Sequence, residues 1–216
     1  MEQDLSDYRK SYEKKELLEK DVSSNQPLDL FQKWFDEADK DDFIKEANAM
    51  TLSTLGLDGF PKSRVVLLKK IKNKNFIFFT NYESEKGKAL RNNSKACISF
   101  FWESSERQII VKGEVVKLSD SENDAYFQSR PRGSRLGAIA SHQSEVIDSR
   151  EVLETRLSDL KDKFDDKSIP RPDYWGGFAL NPLEFEFWQG RPNRLHDRLR
   201  YRLSETGDWT LERLSP

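Results

Sequence analysis

The spacing of apolar residues divides the chain into a polar leader, a helical stretch and a long region dominated by alternation. Residues 1–26 are polar and mixed in charge, with Tyr8 and Tyr12 as the only aromatics, and cannot make a core of their own. From Pro27 the period becomes helical: Leu28, Phe31, Trp34, Phe35 and Ala38 share one side while Asp29, Lys33, Asp36 and Glu37 take the other. After Ala49 the pattern turns alternating and rich in β-branched and aromatic residues, which predicts strands over 50–55, 62–71 and 75–81, with a turn at Leu57-Asp58-Gly59. Strands over 96–102 and 108–118 form a second pair. A short helix starting at Ser84 lies between the groups, and helices follow over 121–128, after Pro131, and over 149–164, where Val152, Leu153, Leu157 and Leu160 share one side. Strand character returns over 178–188, 199–203 and 209–214. Hairpins without β-α-β crossovers predict a β-rich α+β fold built on an antiparallel, Greek-key-like sheet or barrel with peripheral helices.

Composition narrows the function classes. Lys plus Arg is 36 against 38 for Asp plus Glu, so there is no global field to collect nucleic acid or an anionic membrane, and any anion site has to be local. Cys97 is the only cysteine and sits in an apolar run, which excludes an intrachain disulfide and a cysteine-based metal cluster. With no signal-like leader and no long apolar stretch, the expectation is a cytoplasmic protein. His142 and His196 have no metal-ligand spacing, and no Ser-His-Asp or Cys-His signature is present, so no metal is expected.

Four segments hold cations where anion chemistry is plausible. In Ser63-Arg64-Val65-Val66-Leu67-Leu68-Lys69, alternation along one strand sends Arg64 and Lys69 to opposite faces, toward two anions or two subunits; solvated strand ends account for the pattern equally well. The run from Phe79 and Thr80 through Ser84 to Lys86 and Gly87 ends a strand and opens a helix, offering free N–H groups, a hydroxyl cap and a lysine to a phosphate, with Arg64 as a further donor. An ordinary N-cap with a surface lysine is the competing reading. Tyr126, Arg130 and Ser134 are four apart and converge if the chain turns at Pro131, although Arg-Pro-Arg-Gly also suits a solvated loop. In the segment 187–198, Arg194, His196 and Arg198 alternate and in extended chain line one face as three donors beside Trp188, a set that an exposed loop also produces.

Taken in order, these segments resemble the pyridoxine 5'-phosphate oxidase family. The resemblance runs through Arg64-Val-Val-Leu-Leu-Lys69, Phe79-Thr-Asn-Tyr82 with Lys86, Glu106-Arg107-Gln108, Tyr126-Phe-Gln-Ser-Arg-Pro-Arg132, Gln143-Ser144, Tyr174-Trp-Gly-Gly177 and Glu186-Phe-Trp-Gln-Gly190 to Arg194-Leu-His-Asp-Arg198. It implies an FMN-binding split barrel over 27–216, a homodimer with FMN at the subunit interface, and oxidation of pyridoxine 5'-phosphate or pyridoxamine 5'-phosphate by O₂. FMN would be held by Arg64, Val65, Val66, Leu67, Leu68, Lys69, Phe79, Thr80, Lys86, Gln108, Gln143, Ser144, Trp188 and Arg198. Substrate would be held by Lys69, Tyr126, Arg130 and Ser134 at its phosphate, and by Arg194 and His196, the implied catalytic pair, at its reacting end. Arg9, Lys10, Ser11 and Tyr12 resemble the part of the arm, residues 1–26, that closes over substrate as a lid. One departure is Glu85, where the family often carries arginine; an acid beside a phosphate is not a ligand. A related split-barrel oxidase, such as one of a phenazine pathway, and a non-catalytic FMN or pyridoxal-phosphate carrier are the alternatives.

Overall fold

The computed structural model describes residues 3–8, 10–22 and 24–216. Along the chain run α1 (Pro27–Asp39), β1 (Ala49–Leu55), β2 (Pro61–Leu67), β3 (Lys70–Lys72), β4 (Asn75–Asn81), α2 (Glu85–Asn92), β5 (Lys95–Trp102), β6 (Arg107–Lys117), α3 (Asp120–Ser129), α4 (Arg132–Ala140), α5 (Arg150–Phe164), β7 (Trp175–Gln189), β8 (Asp197–Leu203) and β9 (Trp209–Leu214). The strands form one sheet in the order β2-β1-β5-β6-β7-β4-β3, with β8 paired to β7 and β9 to β8. The pairs β3–β4, β4–β7, β7–β8 and β8–β9 are antiparallel; β3–β4, β7–β8 and β8–β9 are joined by short connections, whereas β4 and β7 are distant in sequence. Among the described residues no helix is long and apolar enough to cross a membrane, and no group of His, Cys, Asp and Glu is arranged to hold a metal.

The chain divides into two compact units. The first comprises Met1–Thr51, Cys97–Lys112 and Pro182–Pro216. Its core is aromatic: Phe31 of α1 meets Phe100 edge-on at 5.3 Å, and Trp34 meets Phe187 at 5.4 Å. The buried stripe of α1 is Pro27, Leu30, Phe31, Trp34 and Ala38, so Leu30 joins the expected set while Leu28 and Phe35 sit at its margin. Phe31 and Phe187 are fully buried, and removing either ring would cost about 3 to 5 kcal/mol.

The second unit comprises Leu52–Ala96 and Gly113–Asn181. Phe76 and Phe78 of β4 and Leu180 of β7 are fully buried. A smaller cluster of Phe127, Leu136, Ile169 and Trp175 gives α5 its seat, through Leu157, Leu160 and Phe164. No residue of α5 is fully buried, so its apolar side is a half-buried covering.

One predicted strand is two. The stretch read as 62–71 breaks after Leu67: Leu68 is buried, Lys69 is exposed, and the Lys69 N–H donates to the Ile77 carbonyl at 2.8 Å before β3 begins. β2 and β3 lie at opposite ends of the strand order, so alternation cannot be carried from Arg64 to Lys69.

Candidate functional site

A cavity of about 1000 Å³ in the second unit collects most of the predicted anion-binding residues. One end is built where β4 runs into α2. The Asn81 side chain accepts the Glu83 N–H at 2.7 Å, and the Ser84 hydroxyl caps the helix by accepting from the Gly87 N–H at 3.3 Å while donating to the Asn81 carbonyl at 2.6 Å. Gly87 is required because a Cβ there would lie 2.3 Å from the Tyr82 carbonyl oxygen. Lys86, in the same helical turn, lines the cavity.

Lys86 is buried, and its ammonium donates to the Gln143 side-chain oxygen at 3.1 Å and reaches Ser84 Oγ at 3.4 Å. Burial, with the Arg64 charge adding to it, pushes the Lys86 pKa down to about 8, while Glu85 partly opposes the shift. Thr80 Oγ points at the same Gln143 oxygen at 3.4 Å. Arg64 is anchored to β1 through Nη1, which donates to Thr54 Oγ at 2.8 Å and to the carbonyls of Lys62 and Leu52. Ser144, with a positive φ of 75°, accepts the Glu85 N–H at 3.3 Å. Glu85 also lines the cavity, but Lys62 engages its carboxylate.

The other end forms where α3 stops and α4 starts. Arg130 leaves the helix with an extended backbone and Pro131 precedes α4, the turn on which convergence of Tyr126, Arg130 and Ser134 depends; all three line the cavity. Phe79 stacks on Tyr126 at 3.8 Å and lies parallel to Trp175 at 5.5 Å, and the Arg130 guanidinium sits 4.6 Å over the Trp175 ring. Burial lowers the Arg130 pKa, and its Nη1 is buried without a hydrogen-bond partner among the described residues. An unmet buried donor costs about 1 to 3 kcal/mol, a cost that an incoming anion would relieve.

Arg64, Val65, Val66, Leu67, Lys69, Phe79, Thr80, Lys86, Tyr126, Arg130, Ser134, Gln143 and Ser144 therefore line one cavity. The expectation that Arg64 and Lys69 face apart is corrected, because the strand breaks between them after Leu67 and both line the cavity. Leu68 is also corrected: it is 6% exposed and turned into the core. Trp175 lines the cavity as well; the sequence places it in the Tyr174-Trp-Gly-Gly177 segment of the family resemblance, ahead of the strand expected over 178–188, and gives it no site role. Lys62, Arg64, Lys69, Lys86 and Arg130 face one carboxylate, Glu85, so the cavity is strongly cationic in a chain of formal net charge -2.

Gln108, Trp188, Arg194, His196 and Arg198 belong to the first unit. Trp188 and His196 have ring centroids 4.7 Å apart, and Tyr12 of the arm meets them edge-on at 5.6 and 5.8 Å. His196 Nδ1 accepts the Arg191 N–H at 3.1 Å, which places the proton of the neutral ring on Nε2. Burial and then the Arg194 charge lower the His196 pKa, favouring that neutral form. The three-donor face expected of Arg194, His196 and Arg198 does not form: Asn193 and Arg194 have φ of 56° and 61° in a tight turn, and β8 starts only at Asp197. Arg194 is exposed, while Arg198 donates to Glu186 at 2.8 Å and to the Ser215 carbonyl at 2.9 Å. Gln108 donates to Ser99 Oγ at 3.3 Å. Lys10 and Ser11 are exposed, and Arg9 lies outside the described residues.

Comparison with known proteins matches these features to one family. Residues 37–164 match the family model described as pyridoxamine 5'-phosphate oxidase, and residues 175–216 match the pyridoxine 5'-phosphate oxidase C-terminal dimerisation region. The chain is 59% identical over 213 residues to a pyridoxine/pyridoxamine 5'-phosphate oxidase of Flavobacterium psychrophilum, covering 99% of each chain, and 55% identical to that of Christiangramia forsetii over the full length of both. Among solved structures, PhzG from Burkholderia lata, in complex with tetrahydrophenazine-1-carboxylic acid, is 33% identical with a TM-score of 0.84, covering 93% of this chain and 98% of that one. A pyridoxamine 5'-phosphate oxidase-related, FMN binding protein from Nostoc punctiforme is 17% identical with a TM-score of 0.70 over 89% of this chain and 100% of that one, a likeness of fold that agrees with the antiparallel split barrel expected from sequence. With family models matched over 37–164 and 175–216 and full-length relatives above half identity, the chain belongs to the pyridoxamine 5'-phosphate oxidase family.

Proposed function

We propose that this chain oxidises pyridoxine 5'-phosphate or pyridoxamine 5'-phosphate to pyridoxal 5'-phosphate, using FMN and O₂, releasing hydrogen peroxide and acting as a homodimer. The observation that carries the reading is the buried Arg130 donor, without a hydrogen-bond partner among the described residues and stacked on Trp175 in a cationic cavity whose other end is the Ser84-capped turn of α2. The donors fit a flavin mononucleotide: Lys86, Arg64, Thr80, Gln143 and Ser144 suit its phosphate and polar edge, and helix N-termini suit phosphate generally. The strand residues Val65, Val66 and Leu67 line the same wall. Gln108, Trp188 and Arg198 are assigned to the cofactor as well, on the family resemblance.

When bound, the flavin supplies the two-electron acceptor that the side chains lack and returns the electrons to O₂. The chain itself binds and orients. Lys69, Tyr126, Arg130 and Ser134 hold the substrate phosphate, far from the carbon that reacts, so the clamp fixes where that carbon sits. Neutral His196, with its Nε2–H available, and the Arg194 guanidinium position and polarise the alcohol or amine end. The arm residues Lys10, Ser11 and Tyr12, with Arg9, cover the substrate, and Tyr12 already lies against Trp188 and His196.

The test is peroxide release on mixing FMN-loaded protein with pyridoxine 5'-phosphate or pyridoxamine 5'-phosphate in aerated buffer, with unphosphorylated pyridoxine as the weak control. A flavin absorption band in the purified protein without peroxide from either phosphate would favour the carrier reading. Turnover of pyridoxine as efficient as that of its phosphate would refute the phosphate clamp.

A further inference from the structure

Ion pairs and hydrogen bonds tie the arm down from Glu13 to Glu19, and the contact nearest Tyr12 among them is made by an unusual residue. Glu106 closes the short turn between β5 and β6 with φ 56° and ψ 42°, a left-handed conformation that a side chain with a Cβ seldom adopts unless its surroundings demand it. The residue is 8% exposed, and no cation pairs with its carboxylate among the described residues. Its Oε2 accepts two consecutive backbone N–H groups of the arm instead, those of Glu13 and Lys14, each at 3.0 Å. A carboxylate received by adjacent N–H groups is a strong, charge-assisted contact, and it is made with main chain, so it holds the arm whatever side chains the arm carries.

The backbone of Glu106 ties this contact to the other half of the arrangement. Its carbonyl accepts the Gly190 N–H at 2.8 Å and the Gln189 side-chain amide at 3.2 Å. Gly190 has an ordinary φ, yet a Cβ on it would lie 2.7 Å from Cγ and 2.8 Å from Cβ of Tyr12. Those atoms are at the root of the tyrosine, so the clash could be relieved only by moving the arm. The carboxylate of Glu106 thus receives the residues just after Tyr12, and the absent side chain of Gly190 makes room for the ring.

We propose that Glu106 is a positioning residue for the reaction: it docks the N-terminal arm so that Tyr12 completes the ring cluster with Trp188 and His196. Glu106 touches no reacting atom and acts through Tyr12. The inference rests on the reading that Trp188 and His196 serve cofactor and substrate, but docking itself is independent of that reading.

The experiment uses the full-length, FMN-loaded protein with Glu106→Ala, Glu106→Gln and Gly190→Ala, and measures tryptic cleavage at Lys10, Lys14 and Lys15 alongside KM and kcat for pyridoxine 5'-phosphate. Losing charge-assisted hydrogen bonds should speed arm cleavage and raise KM about ten-fold in Glu106→Ala, with kcat less affected and the flavin spectrum and content unchanged. Glu106→Gln, which keeps one acceptor, should fall between, and Gly190→Ala should reproduce the alanine effect from the opposite side of the contact. In a chain lacking residues 1–12, Glu106→Ala should change KM no further. Wild-type cleavage rates with wild-type KM in Glu106→Ala, or a KM effect that persists in full without residues 1–12, would overturn the proposal, as would flavin loss matching the KM change. Proteolysis needs no turnover, so a wild-type protein that makes no peroxide would refute the proposed activity and leave the docking result standing.

Discussion

Replacing Lys86 with methionine and raising the pH through about 8 remove the same positive charge from the first turn of α2. Burial and the neighbouring Arg64 hold this lysine well below its ordinary 10.5 in the cofactor-free chain. A dianionic phosphate beside it would restore the higher value, so FMN binding takes up a proton wherever the free lysine has lost one. Between pH of about 7.5 and about 9.5, the protonated fraction of a lysine titrating near 8 falls from about three quarters to about one thirtieth, which weakens FMN binding by roughly twenty-fold if the bound value returns to 10.5. Flavin fluorescence quenching on titrating apoprotein measures this directly. The Lys86→Met protein should bind FMN more weakly at pH 7.5 and lose little further affinity by 9.5. For the apoprotein the sign also follows. Between about 8 and 10.5 the unfolded chain carries a proton that folded Lys86 has released, so stability rises with pH through that window and is lowest below it. Removing the buried charge should therefore stabilise the Lys86→Met apoprotein at pH 7, by no more than about 3 kcal/mol. Wild-type affinity that is flat across the range, or an equal slope in Lys86→Met, would refute the assignment of this lysine to the phosphate.

Three further outcomes are expected. Arg130→Ala should lose about ten- to a hundred-fold in kcat/KM for the phosphorylated substrate, mainly through KM, with little loss of thermal stability because Nη1 has no hydrogen-bond partner among the described residues; an unchanged KM in steady-state kinetics would remove Arg130 from the clamp. Gly87→Ala should abolish FMN retention, since its Cβ would meet the Tyr82 carbonyl at 2.3 Å and displace the turn that carries Lys86, and gel filtration followed by a visible spectrum checks this. His196→Asn should lower kcat by about a hundred-fold with flavin content unchanged, a result read from initial rates and absorbance together.

Much of this was legible from residue order. Strands β4 and β9 run over the expected 75–81 and 209–214, and the Ser84 cap and the turn at Pro131 stand where turn chemistry places them. What failed did so where periodicity was carried across a break. Counting alternation from Arg64 to Lys69 assumed one strand, and the chain instead passes from one end of the strand order to the other within two residues. Counting it from Arg194 to Arg198 assumed extended backbone, and two positive φ values remove it. Trp175 carries no site role in the sequence because an aromatic beside two glycines reads the same whether it serves a core or a cavity wall.

Local preference is enough to set the elements themselves, because capping, alternation and the Gly and Pro positions act over a few residues and point the same way. It also supplied the cations and the family likeness. Which cations share a cavity is a matter of how distant segments pack: Arg64, Lys86 and Arg130 come from β2, α2 and the end of α3, and only the folded chain brings them to one space. Tertiary packing likewise decided the properties of those groups. Solvent exclusion moves Lys86 to about 8 and leaves a donor of Arg130 unmet, and neither effect exists until burial removes the water that would otherwise satisfy both charges.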